Sequence, residues 1–306
     1  MIAEIYVEVD DFCQEEVGKI SRLINRQSYF RTLYTKRTLN KRITISEIMT
    51  VLIYYPHSGY KNFKTYYEKE VLKNWLKDFP DLVSYQRFVW WIPLALLPLM
   101  CFVMWRCCNG RRTGIYFIDS TKIGVCHDKR AHQNKVFKGF ASWGKTSMGW
   151  FYGFKLHLLV NQYGELIHLH FTTGSVSDNN AKVLFHLTND INGWVIGDKG
   201  YLCNQEKMEF VEKNGKISWF AKPRKNQKNQ KIYFDKMPFM ARLWVRKRGL
   251  IETVIGIKKK ELDLEHTRHR SIFNAFTHMY ATIAAYYFRT EKPKTNIHLE
   301  PFLLAS

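Results

Sequence analysis

Acid is what this chain has too little of. Its 306 residues carry 27 Asp and Glu against 47 Lys and Arg, a balance of +20 before histidine is counted. Such an excess opposes compaction through self-repulsion and serves a polyanionic partner. Nucleic acid comes first, and an anionic membrane surface second. Paired cysteines are missing too: those at 13, 101, 107, 108, 126 and 203 form no Cys-x-x-Cys and no zinc-finger spacing. They read as reduced thiols of an intracellular protein. Where a secretory leader needs an apolar core the chain has Glu4, Glu8, Asp10 and Asp11, so secretion is not expected. There is no internal repeat, and only 222–231 approaches low complexity. One run, 88–105, lacks any polar side chain and is long enough to span a bilayer. Pro93, Pro98, the bulky aromatics at both ends and the want of a second such run favour a buried helix broken or kinked at the prolines.

What is present is globular. Hydrophobic residues make up 46% and charged residues 24%, and the length suffices for one large domain or two modest ones. Residues 1–110 read as helical, with apolar positions at helical spacing in Val17, Ile20, Leu23 and Ile24, then in Ile45, Ile48, Met49, Leu52 and Ile53. Ser46 is the expected N-cap of the second helix and Ser58-Gly59 its stop. A basic stretch, 31–42, lies between the two helices. A further helix is expected over 60–76, where Lys61, Phe63, Lys64, Tyr66 and Tyr67 interleave charge with rings. Two readings stand side by side: a DNA-binding bundle that includes a helix-turn-helix, or a structural bundle with a solvated charged face.

After Asn109-Gly110-Arg111-Arg112 strands take over. A short apolar run, 115–118, ends in Asp119-Ser120-Thr121. Residues 129–145 read as a basic, glycine-containing loop suited to a phosphate backbone, with Phe137, Phe140 and Trp143 interspersed. A hairpin follows, 154–160 and 165–173 about a turn at 161–164. His168 and His170 share one face of its second strand. With no third ligand in sight, they read as solvent-facing or cleft-wall histidines in preference to a zinc pair. Asp178 is the expected cap of a helix reaching about 191. Then Trp-Val-Ile-Gly-Asp-Lys-Gly-Tyr, 194–201, brings a second strand to an abrupt acid, Asp198, bracketed by Gly197 and Gly200. A helix over 204–213, a strand over 217–221, a lysine-rich loop over 223–236 and a helical region over 239–288, interrupted near 266–270, complete an α/β layered domain.

Two carboxylates at the ends of neighbouring strands can converge on a hard divalent cation, and two-metal phosphoryl transfer calls for a third acid. The late helices offer Glu252, Glu261 and Glu265. Glu252 is the best placed, since Arg248 falls about 40° and Lys259 about 20° around the helix axis from it. One acid then shares a face with two cations able to meet phosphate. The plainer alternative is a surface i,i+4 ion pair.

Asp119 in Phe-Ile-Asp-Ser-Thr, Asp198 in Gly-Asp-Lys-Gly-Tyr and Glu252 in Arg-x3-Glu-x6-Lys together resemble the DDE transposases of bacterial insertion sequences. The resemblance is to insertion-sequence family 982 in particular, carried by 138–158, by Ser84-Tyr85-Gln86-Arg87-Phe88 and by Ser58-Gly59-Tyr60-Lys61-Asn62-Phe63. It implies a ribonuclease H-like mixed-sheet α/β catalytic domain (111–290) preceded by an all-helical DNA-binding domain (1–110), with a tail over 291–306. It further implies two Mg²⁺ ions, replaceable by Mn²⁺, held by Asp119, Asp198 and Glu252 as metal ligands and catalysts. The implied partners are DNA, as terminal inverted repeats and target, and a second copy of the chain, with no membrane. The implied place is the cytoplasm, on the nucleoid when DNA-bound. Arg248 and Lys259 become contacts to the element's ends, although Val245 stands where the broader signature has Tyr. Lys199 and Tyr201 are candidates for steering a phosphate backbone past Asp198, and Lys138 and Lys145 for holding it on the basic loop. The rival readings are a stand-alone nuclease of the same fold, a DNA-binding derivative without activity, and a membrane-anchored protein built on 88–105.

Overall fold

The computed structural model describes residues 1–26, 43–147, 149–201, 217–221, 237–266 and 269–295, with the backbone alone for 17–26 and 199. The basic stretch 31–42, the helix expected over 204–213 and the lysine-rich loop 223–236 lie outside the described residues. The chain forms two compact units: Met1–Trp105 with Lys258–Thr290, and Arg106–Ile257 with Glu291–Ser306. The long helix Ile272–Tyr287, grouped by sequence with the catalytic segment, thus belongs with the first helices.

The first unit is helical. Ile5, Val9 and Phe12 of the helix Ile2–Arg26 are buried, as are Ile48, Met49, Val51 and Leu52 of the helix Ile45–Tyr54. The cap of the latter is Thr44, two residues before the expected Ser46. Thr44 Oγ1 accepts from the Glu47 amide at 3.2 Å while Glu47 Oε2 accepts from the Thr44 amide at 2.6 Å, a reciprocal pair that satisfies two end groups. Ser46 instead donates to Asp10 Oδ1 at 2.6 Å, tying the two helices together. The expected helix over 60–76 is interrupted: Phe63–Tyr66 runs through a π turn, Tyr67–Val71, into Leu72–Asn74. The wider turn lets two successive tyrosines point inward. Tyr66 and Tyr67 are fully buried, with hydroxyls donating to the Val51 and Val83 carbonyls at 2.9 and 2.7 Å. These rings are therefore core, while Lys61 and Lys64 remain on the surface. The apolar run is long and apolar enough to cross a membrane by length and composition, but it is broken at Pro93 by a 3-10 turn, Ile92–Ala95, and most of its apolar side chains are buried. His266, His269 and His278 stand with ring centroids 5.0–5.7 Å apart beside a cavity of about 470 Å³ in the same unit.

The second unit is built on a six-stranded mixed sheet: β1 (Ile115–Gly124), β2 (Ser142–Thr146), β3 (Gly149–Asn161), β4 (Leu166–Thr173), β5 (Gly193–Gly197) and β6 (Ile217–Ala221). β3 is the hub of the antiparallel half, pairing β1 on one side and β2 and β4 on the other. β1, β5 and β6 are parallel. Side chains alternate between faces. On one face Tyr116, Ile118, Leu159 and Val195 pack under the helix Ala181–Thr188 through Val183, Leu184 and Leu187. The other face carries Phe117 against Trp244 of the helix Phe239–Arg246, centroids 6.3 Å apart, and receives the helix Gly249–Gly256 over β1. A mixed sheet in this order with helices on both faces, following an all-helical region, is the ribonuclease H-like α/β fold.

Several local expectations change. Residues 129–145 are not one loop: a 3-10 helix, Asp128–Gln133, and the strand β2 occupy much of it. The helix after β4 is capped by Asn180, whose Oδ1 accepts from the Lys182 amide at 3.0 Å, which leaves Asp178 to other partners. His168 is not solvent-facing. It is buried and its Nε2 meets Asp190 Oδ1 at 2.5 Å, because the helix and its following turn close over that face of β4. The five described cysteines are in no disulfide with one another.

β5 starts where the chain passes close to Gly114. Gly193 has φ +115°, and a Cβ there would lie 2.2 Å from the Gly114 carbonyl oxygen. Gly193→Ala is expected to cost more than about 2 kcal/mol in urea unfolding followed by circular dichroism, from backbone strain and the clash together. A variant as stable as wild type would contradict this register.

Candidate active site

Parallel pairing aligns two acids. Phe117 of β1 sits opposite Ile196 of β5, so Asp119 and Asp198, each two residues further on, stand at the same level. Asp119 is not at a strand end, as its sequence context suggested. β1 continues to Gly124 along β3, and only its pairing with β5 stops at Phe117. The chain therefore opens a cleft beside a strand that is still hydrogen-bonded on its other edge.

Local packing fixes the turn after β5. A Cβ on Gly197 would meet Tyr201 Cβ at 2.9 Å and Ile118 Cγ2 at 3.2 Å, whereas Gly200 has nothing within 4 Å of that position. Gly197 is thus required by the close approach of Tyr201, and the freedom of Gly200 is not. The Tyr201 amide donates to the Asp198 carbonyl at 2.9 Å, closing a 3-10 turn Lys199–Tyr201. The Tyr201 side chain is only 2% exposed, packed among Tyr116, Ile118 and Trp219. It cannot steer a phosphate backbone over the surface, which corrects the expectation for this residue. It anchors the Asp198 turn to the core instead.

The third acid arrives from a helix. Leu250, Ile251 and Val254 of Gly249–Gly256 are buried, which turns Glu252 outward. Arg248, just before this helix, reaches back between all three acids. Its guanidinium lies 3.4 Å from Asp119 Oδ2 and 4.0 Å from Asp198 Oδ1, and it forms a tight ion pair with Glu252 Oε1. Three carboxylates thus share one cation. Val245, at the signature's tyrosine position, is buried. Lys259 belongs to the helical unit, where its Nζ donates to Glu265 at 2.9 Å. Lys138 and Lys145 are exposed, while the Lys199 side chain lies outside the described residues.

Sequence reading missed a support beneath Asp119. Ser120, on the opposite face of β1, donates through its hydroxyl to Asp178 Oδ1 at 2.7 Å. Lys155, buried on β3, donates to the same oxygen at 3.1 Å and to the Val176 carbonyl at 2.8 Å. The Ser120 amide donates to Asp119 Oδ1 at 2.8 Å. His157, opposite Ser120 in the register of β1 and β3, is also buried, with Nε2 2.9 Å from Thr172 Oγ1. A lysine and a histidine two apart within the otherwise apolar 154–160 share a strand face, and that was the available sign of this network.

The comparisons with known proteins bear on the family and the fold. Residues 109–272, more than half of the chain, match the family described as Transposase DDE domain. The chain belongs to that family. The match supports the DDE transposases as a whole and does not single out family 982. Among solved structures, the chain is similar to piggyBac transposase in a cryo-EM synaptic complex with hairpin DNA, at 9% identity and a TM-score of 0.53, over 95% of this chain and 75% of that one. At this identity the likeness is one of fold alone. No curated protein sequence matches the chain.

Family membership implies magnesium in general, so the donor set has to be weighed against it. Among the described residues, no three His, Cys, Asp or Glu side chains are grouped so as to hold a metal ion. The guanidinium of Arg248 lies within 4.0 Å of all three carboxylates. Three carboxylates aimed at one cation are nevertheless the oxygen donors that a hard divalent ion takes. The donor chemistry fits.

Burial is the main influence on Asp119, pushing its carboxyl up to about 6. The Ser120 amide and Arg248 oppose the rise, and Asp198 and Glu252 add to it. A carboxyl that holds its proton more tightly when folded is destabilising once ionised. The penalty is absent below about pH 4, grows as pH rises towards 6, and is complete above it, on the order of 3 kcal/mol. In metal-free buffer, Asp119→Asn is therefore expected to melt a few degrees above wild type at pH 7.5 and to show no gain at pH 4 by calorimetry. Tyr201 gives a second check. Tyr201→Ala should cost about 3–5 kcal/mol, as loss of a buried aromatic does, whereas Tyr201→Phe should leave DNA affinity unchanged. A large loss of affinity in the phenylalanine variant would restore the surface reading.

Proposed function

We propose that the chain is a transposase of insertion-sequence family 982 that binds the ends of its own element, cuts there and joins the exposed 3′ hydroxyl to target DNA. The observation that carries this reading is the meeting of Asp119, Asp198 and Glu252 at Arg248. In this reading Asp119, Asp198 and Glu252 hold two Mg²⁺ ions, with Mn²⁺ able to substitute. The chemistry magnesium supplies when bound is activation of an attacking oxygen and stabilisation of the leaving one, whether the attacker is water or a DNA hydroxyl. The protein's own part is to keep three like charges at one place, which Arg248 does by pairing with each. A guanidinium so placed also offers a phosphate two parallel donors.

The remaining assignments rest on charge and, for Lys138 and Lys145, on exposure. Arg248, Lys259 and Lys199 are proposed as contacts to the element's ends, and Lys138 and Lys145 as contacts to the phosphate backbone. The +20 balance supports binding to target DNA that is largely insensitive to sequence and weakens with salt. A homodimer is proposed because two ends have to be processed together, and the cytoplasm, on the nucleoid, as its place of work.

The test uses pre-cleaved element ends, target DNA and Mg²⁺. Joined product is expected from the wild type, with Asp198→Asn and Glu252→Gln each reducing it more than about 100-fold, beyond the loss that changing a merely supporting residue produces. Cleavage without joining would support a stand-alone nuclease, and binding with neither would support an inactive derivative.

A further inference from the structure

The strand that sequence did not anticipate, β2, forms with the start of β3 a hairpin whose composition the chemistry at the acids does not use. In the antiparallel register Trp143 lies opposite Tyr152 and Lys145 opposite Trp150, so all four share one face. Trp143 and Tyr152 have centroids 5.7 Å apart, and the Lys145 ammonium sits 5.5 Å from the Trp150 ring. Trp143 is 43% and Trp150 57% exposed, and Phe140, just before β2, is 57% exposed. Rings of this size are rarely left to water without a use.

The base of the hairpin is held firmly. The Ser175 amide donates to Ser142 Oγ at 2.9 Å, and a Cβ on Gly144 would meet the Gly174 carbonyl at 2.3 Å. Tyr152 donates to the Phe137 carbonyl at 3.3 Å. The aromatic face is therefore preorganised.

Its position relates it to the acids. Asp119 pairs with Leu158, and alternation along β3 places 156, 154, 152 and 150 on that same face of the sheet. Tyr152 and Trp150 are six and eight residues from Leu158, about 20–27 Å along the strand, or about six to eight base pairs of duplex. The adjoining sequence is strongly basic: Lys129, Arg130, Lys135, Lys138 and Lys145 are exposed, and after Asp128 there is no Asp or Glu as far as Asn161. A symmetric contact between two copies would bring these cations together, which disfavours a second chain as the occupant. A phosphate backbone neutralises them, and flat exposed rings beside it offer stacking to bases that are not already stacked in a duplex.

We infer that the β2–β3 hairpin is a platform that stacks unpaired DNA bases on Trp143 and Trp150, on the Asp119 face of the sheet. The inference deepens the proposed function and rests on it for the identity of the nucleic acid. It is tested by fluorescence anisotropy with the full chain in metal-free buffer at fixed salt, comparing blunt duplex with the same duplex carrying a single-stranded tail. Wild type is expected to prefer the tailed DNA. Trp143→Ala with Trp150→Ala should bring tailed affinity down to the blunt value, a loss between roughly 5-fold and 100-fold, the span that stacking on an aromatic side chain covers. Trp150→Phe, which keeps a ring, should retain part of the preference, and circular dichroism checks that each variant is folded. Absence of any preference in wild type, or equal weakening of both DNAs in the double variant, overturns the platform. A change in oligomeric state with binding intact overturns it in favour of a contact between copies. Because binding is read without metal, a protein that stacks tails but joins no strands would refute the transposase reading and leave the platform standing.

Discussion

Three carboxylates that share a cleft repel one another unless a positive charge stands among them or one keeps its proton. Two unit charges 4 Å apart interact by about 4 kcal/mol at the effective dielectric of a partly buried site, and here there are three acids. Arg248 supplies the counter-charge, reaching Asp119, Asp198 and Glu252 at once. The rise of the Asp119 carboxyl to about 6 shows that burial and its acidic neighbours outweigh that single cation.

The surrounding structure serves this convergence. Register between β1 and β5 sets two acids level, Gly197 lets Tyr201 anchor the second of them, and the buried face of the helix Gly249–Gly256 presents the third. The two faces of the sheet divide the work. The Ser120 face is sealed by an apolar cluster and by the Asp178–Lys155 pair. The Asp119 face leads from the acids along β3 to the exposed rings of the hairpin. The period-two alternation of the strands thereby gives the two faces different surroundings.

Much of this was legible in sequence wherever the signal was local. Alternation and turn chemistry marked the β3–β4 hairpin, and apolar spacing marked the helices and the strand before Asp198. The errors were local competitions: Thr44 displaced Ser46 as a cap through its reciprocal bond with Glu47, and Asn180 displaced Asp178. β2 was missed because its residues, Ser-Trp-Gly-Lys-Thr, become a strand only by pairing with β3.

By itself the sequence determined most of the described elements, the candidacy of the three acids and the excess of positive charge, since each depends on residue types and short spacings. Only the tertiary structure decided that Arg248, 129 positions from Asp119, is the shared cation, that Tyr201 faces the core, and that Lys155 and Asp178 support Ser120. Those relations depend on which strands become neighbours and on the register between them, and no short stretch of chain encodes either.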